Sequence, residues 1–97
     1  MKVENMTNNN GNKIVNQFII HFNNDYKIFQ SYNSIIAKID LIQSDDNEPY
    51  IFLDSYYWNY SKTTSKYRNK FLNMTTKEIE NAIKNGSITL TDLNHGG

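Results

Sequence analysis

The sequence predicts an α+β domain: an antiparallel sheet of about four to five strands with two helices packed on one face, in the order ββββ-α-α-β. Three features carry this expectation. Stretches rich in Ile, Phe and Tyr, some alternating with period two, fill residues 14–54. After residue 60 the apolar spacing becomes helical and capping signals appear. Polar clusters at 23–25, 33–34 and 44–49 divide the strand region.

Residues 1–12 are polar and include Asn8-Asn9-Asn10-Gly11-Asn12. With no face to bury, they are expected to form a flexible N-terminal arm. Residues 14–22 (IVNQFIIHF) are β-branched and aromatic, which predicts a buried strand. Asn23-Asn24-Asp25 has turn chemistry and leads into a second strand at 26–31, so 14–31 reads as a hairpin. Asn33-Ser34 punctuates. Residues 35–43 then alternate, with Ile35, Ala37, Ile39 and Leu41 on one side and Ile36, Lys38, Asp40 and Ile42 on the other. The loop Ser44–Pro49 joins this third strand to a fourth at 50–54, and Pro49 sits where a strand starts without losing a ladder donor.

Beyond the strands, Tyr67, Phe71 and Leu72 mark the apolar side of a helix over 61–73, with Ser61 as its N-cap. Thr75-x-x-Glu78 is a capping box that opens a second helix. Ile79, Ala82 and Ile83 form its buried stripe, Lys84 lies in its last turn and Gly86 closes it. Residues 87–91 (SITLT) alternate again as a short closing strand, and 95–97 are expected to be a flexible tail. Residues 13–94 are thus expected to form one domain.

Composition narrows the function. Ninety-seven residues suffice for one core, and the lean apolar share of 38% means that rings, at 13%, must build much of it. Ten basic residues balance ten acidic ones, which argues against a DNA mimic and against a wholesale nucleic-acid binder. Cysteine is absent, which excludes disulfides, a thiol nucleophile and thiolate metal sites. No apolar run is long enough to span a bilayer, and the N-terminal stretch has no hydrophobic core of the signal-peptide kind. A cytoplasmic domain with no membrane attachment is expected. Sixteen asparagines and twelve isoleucines, with a single arginine, fit an AT-rich genome.

The neutral total hides a segregated chain. Residues 40–54 carry Asp40, Asp45, Asp46, Glu48 and Asp54 and no cation, while 62–77 carry Lys62, Lys66, Arg68, Lys70 and Lys77 and no anion. These segments either pair within the fold or present two poles to a partner. Lys62, Lys66 and Lys70 fall on one side of the first helix, just after Tyr56, Tyr57, Trp58 and Tyr60. A basic stripe beside rings suits single-stranded nucleic acid or an acidic protein surface. Surface lysines at helical spacing are also ordinary solvated residues, and Trp58 reads best as filling at the sheet-to-helix junction. His21, inside an apolar strand, reads as a satisfied core imidazole. Asp45-Asp46-x-Glu48 is at most a weak cation holder, since it lacks the pattern of a calcium loop. No nucleophile elbow, phosphate loop or His-rich metal spacing is present. No enzyme, cofactor or metal is therefore expected.

Two segments together resemble a known family. They are Phe29-Gln30-Ser31-Tyr32-Asn33-Ser34-Ile35-Ile36-Ala37-Lys38-Ile39, and the stretch from Leu53 to Leu72 around Trp58-Asn59-Tyr60-Ser61-Lys62-Thr63-Thr64-Ser65-Lys66-Tyr67. This is similar to a small domain of unknown function that recurs in phage and plasmid proteins of low-GC Gram-positive bacteria, over residues 17–94. Asn59 stands where that pattern more often has Asp. The resemblance brings no catalytic residues. It implies a mobile-element context, in which small cysteine-free proteins are often host-directed, anti-CRISPR proteins among them. The expectation is a non-enzymatic inhibitor that binds a host protein, a CRISPR effector nuclease or its guide RNA complex, as monomer or homodimer. Its expected partner-binding residues are Tyr57, Tyr60, Lys62, Lys66, Arg68 and Lys70. The alternative is a small nucleic-acid-binding accessory protein of phage or plasmid replication or regulation.

Overall fold

The computed structural model describes residues 1–45 and 48–95, and at 43–45, 48 and 49 the backbone alone. Within these residues the order is β1 (Lys2–Thr7), β2 (Lys13–Phe22), β3 (Tyr26–Ser31), β4 (Ser34–Asp45), β5 (Glu48–Asp54), α1 (Lys62–Leu72), α2 (Thr76–Asn85) and β6 (Ile88–Thr91). The strands form one sheet whose spatial order is the sequence order. Pairings from β1 through β5 are antiparallel, as short turns between neighbours require. β6 runs parallel to β5 because the two-helix connection carries the chain back along the sheet before it pairs. The fold is the expected α+β class, with strands preceding helices.

The first twelve residues depart from the expected arm. Lys2–Thr7 is strand β1, with Val3 opposite Ile20 and Glu4 opposite Ile19, so the sheet has six strands. Met6 is buried in the core, and the Asn5 amide donates to the Ile14 carbonyl at 2.8 Å across a break in the β1–β2 ladder. The asparagine run is a built turn. The Asn8 side chain accepts from the backbone N–H of Asn10 and Asn12, and Gly11 takes a φ of 80°. β1 also corrects the expectation for His21, which is partly exposed with its Nε2 2.9 Å from Glu4 Oε1. The acidic run at 45–48 and the glycines at 96 and 97 lie outside the described side chains.

The helices cover one face. Phe29 of β3 lies under Phe71 of α1 with ring centroids 5.8 Å apart, and Leu53, Ile79 and Ile88 complete the centre. A bulge in β4 disturbs the simple alternation and sends Ile36 into the core beside Ala37 and Ile39. Both helix starts are capped as the sequence indicates. Ser61 accepts from the Thr64 N–H, and Thr75 and Glu78 close a reciprocal capping box. Asn73 and Gly86 end the two helices in the left-handed region.

Candidate functional site

The link from β5 to α1 is a series of tight turns rather than an extension of the strand, and Asp54 builds it. Its carboxylate is almost fully buried and accepts from the backbone N–H of Tyr57 at 2.8 Å, Tyr56 at 3.1 Å and Leu93 at 2.8 Å. Burial alone raises its pKa. The N–H groups of Leu93, Tyr57 and Tyr56 and the side chain of Asn94 outweigh that and hold the carboxyl below its ordinary range. The chain then folds back through Trp58 N–H to the Asp54 carbonyl and Tyr60 N–H to the Tyr57 carbonyl.

Arg68 locks the other side of this link and is not a surface residue. It is fully buried, with its guanidinium 5.3 Å from the Trp58 ring. It donates to the Trp58 carbonyl at 2.6 Å, to the side-chain oxygens of Asn59 and Asn69, and to Thr76 Oγ1. All five donor positions are thereby used, and every acceptor is neutral. Burial lowers the pKa of this guanidinium, against the charge of Glu80. The sequence places Arg68 among the partner-binding residues. The structure makes it the brace between the aromatic turn and both helices, because a planar five-donor fork is what gathers that many scattered oxygens. Asn59 spends its oxygen on Arg68 and Ser65.

Held this way, the tyrosines cluster. Tyr57 is half-buried and meets Tyr56 and Tyr60 edge-on, at centroid distances of 4.7 and 5.5 Å. Tyr56 and Tyr60 are 76% and 66% exposed. Tyr57 and Tyr60 wall a cavity of about 420 Å³ whose opposite wall is the β3–β4 turn, Tyr32 to Ser34. At its base Ser31 Oγ and Thr64 Oγ1 are 3.0 Å apart. Tyr32 is half exposed and has a φ of 57°, a left-handed conformation that a bulky residue adopts only at a cost. Its N–H donates to the Asn16 carbonyl at 2.8 Å and its carbonyl accepts from Gln30, which hold it there. Strained residues of this kind concentrate where a side chain is needed in one particular place.

A model of a family of unknown function, DUF8033, matches residues 1–87. The chain belongs to this family. No curated protein and no solved structure matches it. The stretch shared with DUF8033 includes all of β1 and every residue of the tyrosine-walled cavity. The edge strand and the cavity are therefore parts of the DUF8033 unit rather than additions to it.

The lysines of this DUF8033 chain lie along α1. Lys62, Lys66 and Lys70 are all exposed and occupy one side of the helix, spaced four residues apart. Lys62 and Lys66 follow directly from Tyr60. Lys66 Nζ lies 5.4 Å from the Tyr67 ring, and Lys70 donates to the Thr7 carbonyl at 3.2 Å, so the stripe ends against β1. Of the sequence-predicted residues, Tyr57 and Tyr60 line one cavity, Lys62 is exposed at the start of α1, Lys66 and Lys70 lie together against Asn8, Asn9 and Ile14 at the β1–β2 turn, and Arg68 is internal. Tyr32 is the residue that sequence reasoning missed. Its only signal is a bulky side chain in a two-residue connection where Asn or Gly is usual. Among the described residues no three His, Asp or Glu side chains gather as metal ligands. What the site offers is rings, hydroxyls and cations, the equipment of recognition.

Proposed function

We propose that this protein is a non-enzymatic binding module that captures a host protein with its tyrosine-walled cavity and the lysine edge of α1, and thereby inhibits it. The observation that carries this is the gathering of Tyr32, Tyr57 and Tyr60 around one cavity, with exposed Lys62 and Lys66 following Tyr60 along α1. Tyrosines with exposed rings and fixed backbones are efficient interface anchors, and neighbouring cations select an acidic rim. The stretch from Ser55 to Met74 has no acidic residue to cancel those cations. The fitting partner is an acidic protein surface that presents an apolar or aromatic side chain to the cavity. The resemblance to mobile-element proteins supports a host defence protein as target, in the manner of anti-CRISPR inhibitors.

The test is phage plaquing on a CRISPR-bearing low-GC host that expresses the protein. Restored plaquing of a targeted phage is expected, with loss of that protection in the Tyr60→Ala, Lys62→Glu, Lys66→Glu variant. Unchanged protection by the folded variant would remove this face from the function. A second reading uses the same groups on single-stranded nucleic acid, because rings beside spaced lysines also suit stacked bases and phosphates. That reading requires binding that weakens steeply with salt.

A further inference from the structure

The sheet has a second face that the helices do not reach. α1 and α2 pack on the side of Phe29, Leu53 and Ile88. Strand alternation therefore sends Phe18, Ile20 and Phe22 of β2, Tyr26 and Ile28 of β3, and Phe52 of β5 to the opposite side. All six remain partly exposed, and Phe22 and Tyr26 stack on each other at 4.5 Å. In a two-layer domain such a face is normally polar, with apolar residues reserved for the covered side.

We propose that this open face is a homodimer interface, occupied by the same face of a second copy of the chain. Charge selects that occupant. On β4, Lys38 and Asp40 place one cation and one anion across the face, and Lys38 Nζ lies over the Tyr26 and Phe52 rings at 4.6 and 5.9 Å. A nucleic acid or an acidic protein would need an excess of cations there. A two-fold partner needs a face that is its own complement, and a balanced apolar one is. The chain as a whole has a formal net charge of zero, so two copies do not repel at long range.

Size agrees. At a strand spacing of about 4.8 Å and a rise of about 3.4 Å per residue, six strands paired over about six residues present a footprint of about 480 Å². Two such faces in contact bury roughly 1,000 Å², the lower end of what a specific interface needs. Aligned packing of two twisted sheets makes the dimer a sandwich with its helices outermost. The tyrosine-walled cavity and the lysine edge lie against the helix layer and stay open in it, so the dimer displays two binding sites.

Sedimentation equilibrium of the full chain tests this. The expected mass is twice the 11.4 kDa of the chain, falling by half in Ile28→Lys, which sets like charges against each other at the centre. Circular dichroism checks that the variant folds. Should it unfold, Val3→Lys with Tyr50→Lys replaces it, since both side chains are already exposed. A wild-type monomer at the highest concentration reached, or a dimer that persists in a folded variant, overturns the proposal.

Discussion

Tyr32 and Asp54 show how single residues set the candidate site. Tyr32 sits where a residue without a Cβ would be cheaper, and its ring faces the cavity. Tyr32→Gly should therefore stabilise the fold by about 1 kcal/mol while weakening partner capture. Opposite signs in thermal unfolding and in binding are the expected pattern, and a variant that loses stability contradicts the strain argument. Asp54 acts through its charge. Its pKa is lowered on folding from the ordinary 3.8, so its stabilisation is fully present above that pH and is lost as the pH falls through the folded value. Asp54→Ala leaves the N–H groups of Tyr56, Tyr57 and Leu93 without their acceptor and should cost about 2–4 kcal/mol. Urea unfolding at neutral and acid pH checks both: the wild type should lose stability toward pH 3, and the variant should lose less. Neither role was legible in the sequence. Nothing local to Tyr32 forces a positive φ, and the donors to Asp54 are split between positions two and three residues on and Leu93, far along the chain. Arg68 was visible only as part of a cationic run, because its acceptors are gathered from the aromatic turn and from both helices by the tertiary fold.

Elements were more legible where their signals are local. The α2 capping box and Gly86 were readable because each acts within a few residues. Gly86 has a φ of 85° and open space where a Cβ would stand. Gly86→Ala should therefore cost about 1–2 kcal/mol, all of it backbone conformation and none of it collision. A larger loss in thermal unfolding would mean that the site is more crowded than the structure has it. β1 was not legible, for a physical reason. Val3 and Met6 face opposite sides of the sheet, so the strand carries too few apolar residues to register a period of two. The bulge in β4 was hidden as well. It places Ile36 and Ala37 in the core together, which strict alternation forbids.

At the scale of the molecule, strands-then-helices indicated the class, and the meander followed from short turns. The pairing of Tyr57 and Tyr60 on one cavity was legible because they are close in sequence. Tyr32 came from the other side of the cavity, and only the packing of the β3–β4 turn against α1 brings it there. The result is a helix-covered sheet with exposed tyrosines and lysines on its helix layer and an apolar face behind. Partner capture by the first of these surfaces is read by an affinity pull-down from lysate of a CRISPR-bearing low-GC host, before and after nuclease treatment, comparing wild type with the Tyr60→Ala, Lys62→Glu, Lys66→Glu variant. The wild type should retain one host defence protein after nuclease treatment, and the variant should deplete it about thirtyfold or more, the loss of about 2 kcal/mol or more expected of interface anchors. Equal retention by the folded variant, or loss of every partner on nuclease treatment, contradicts it.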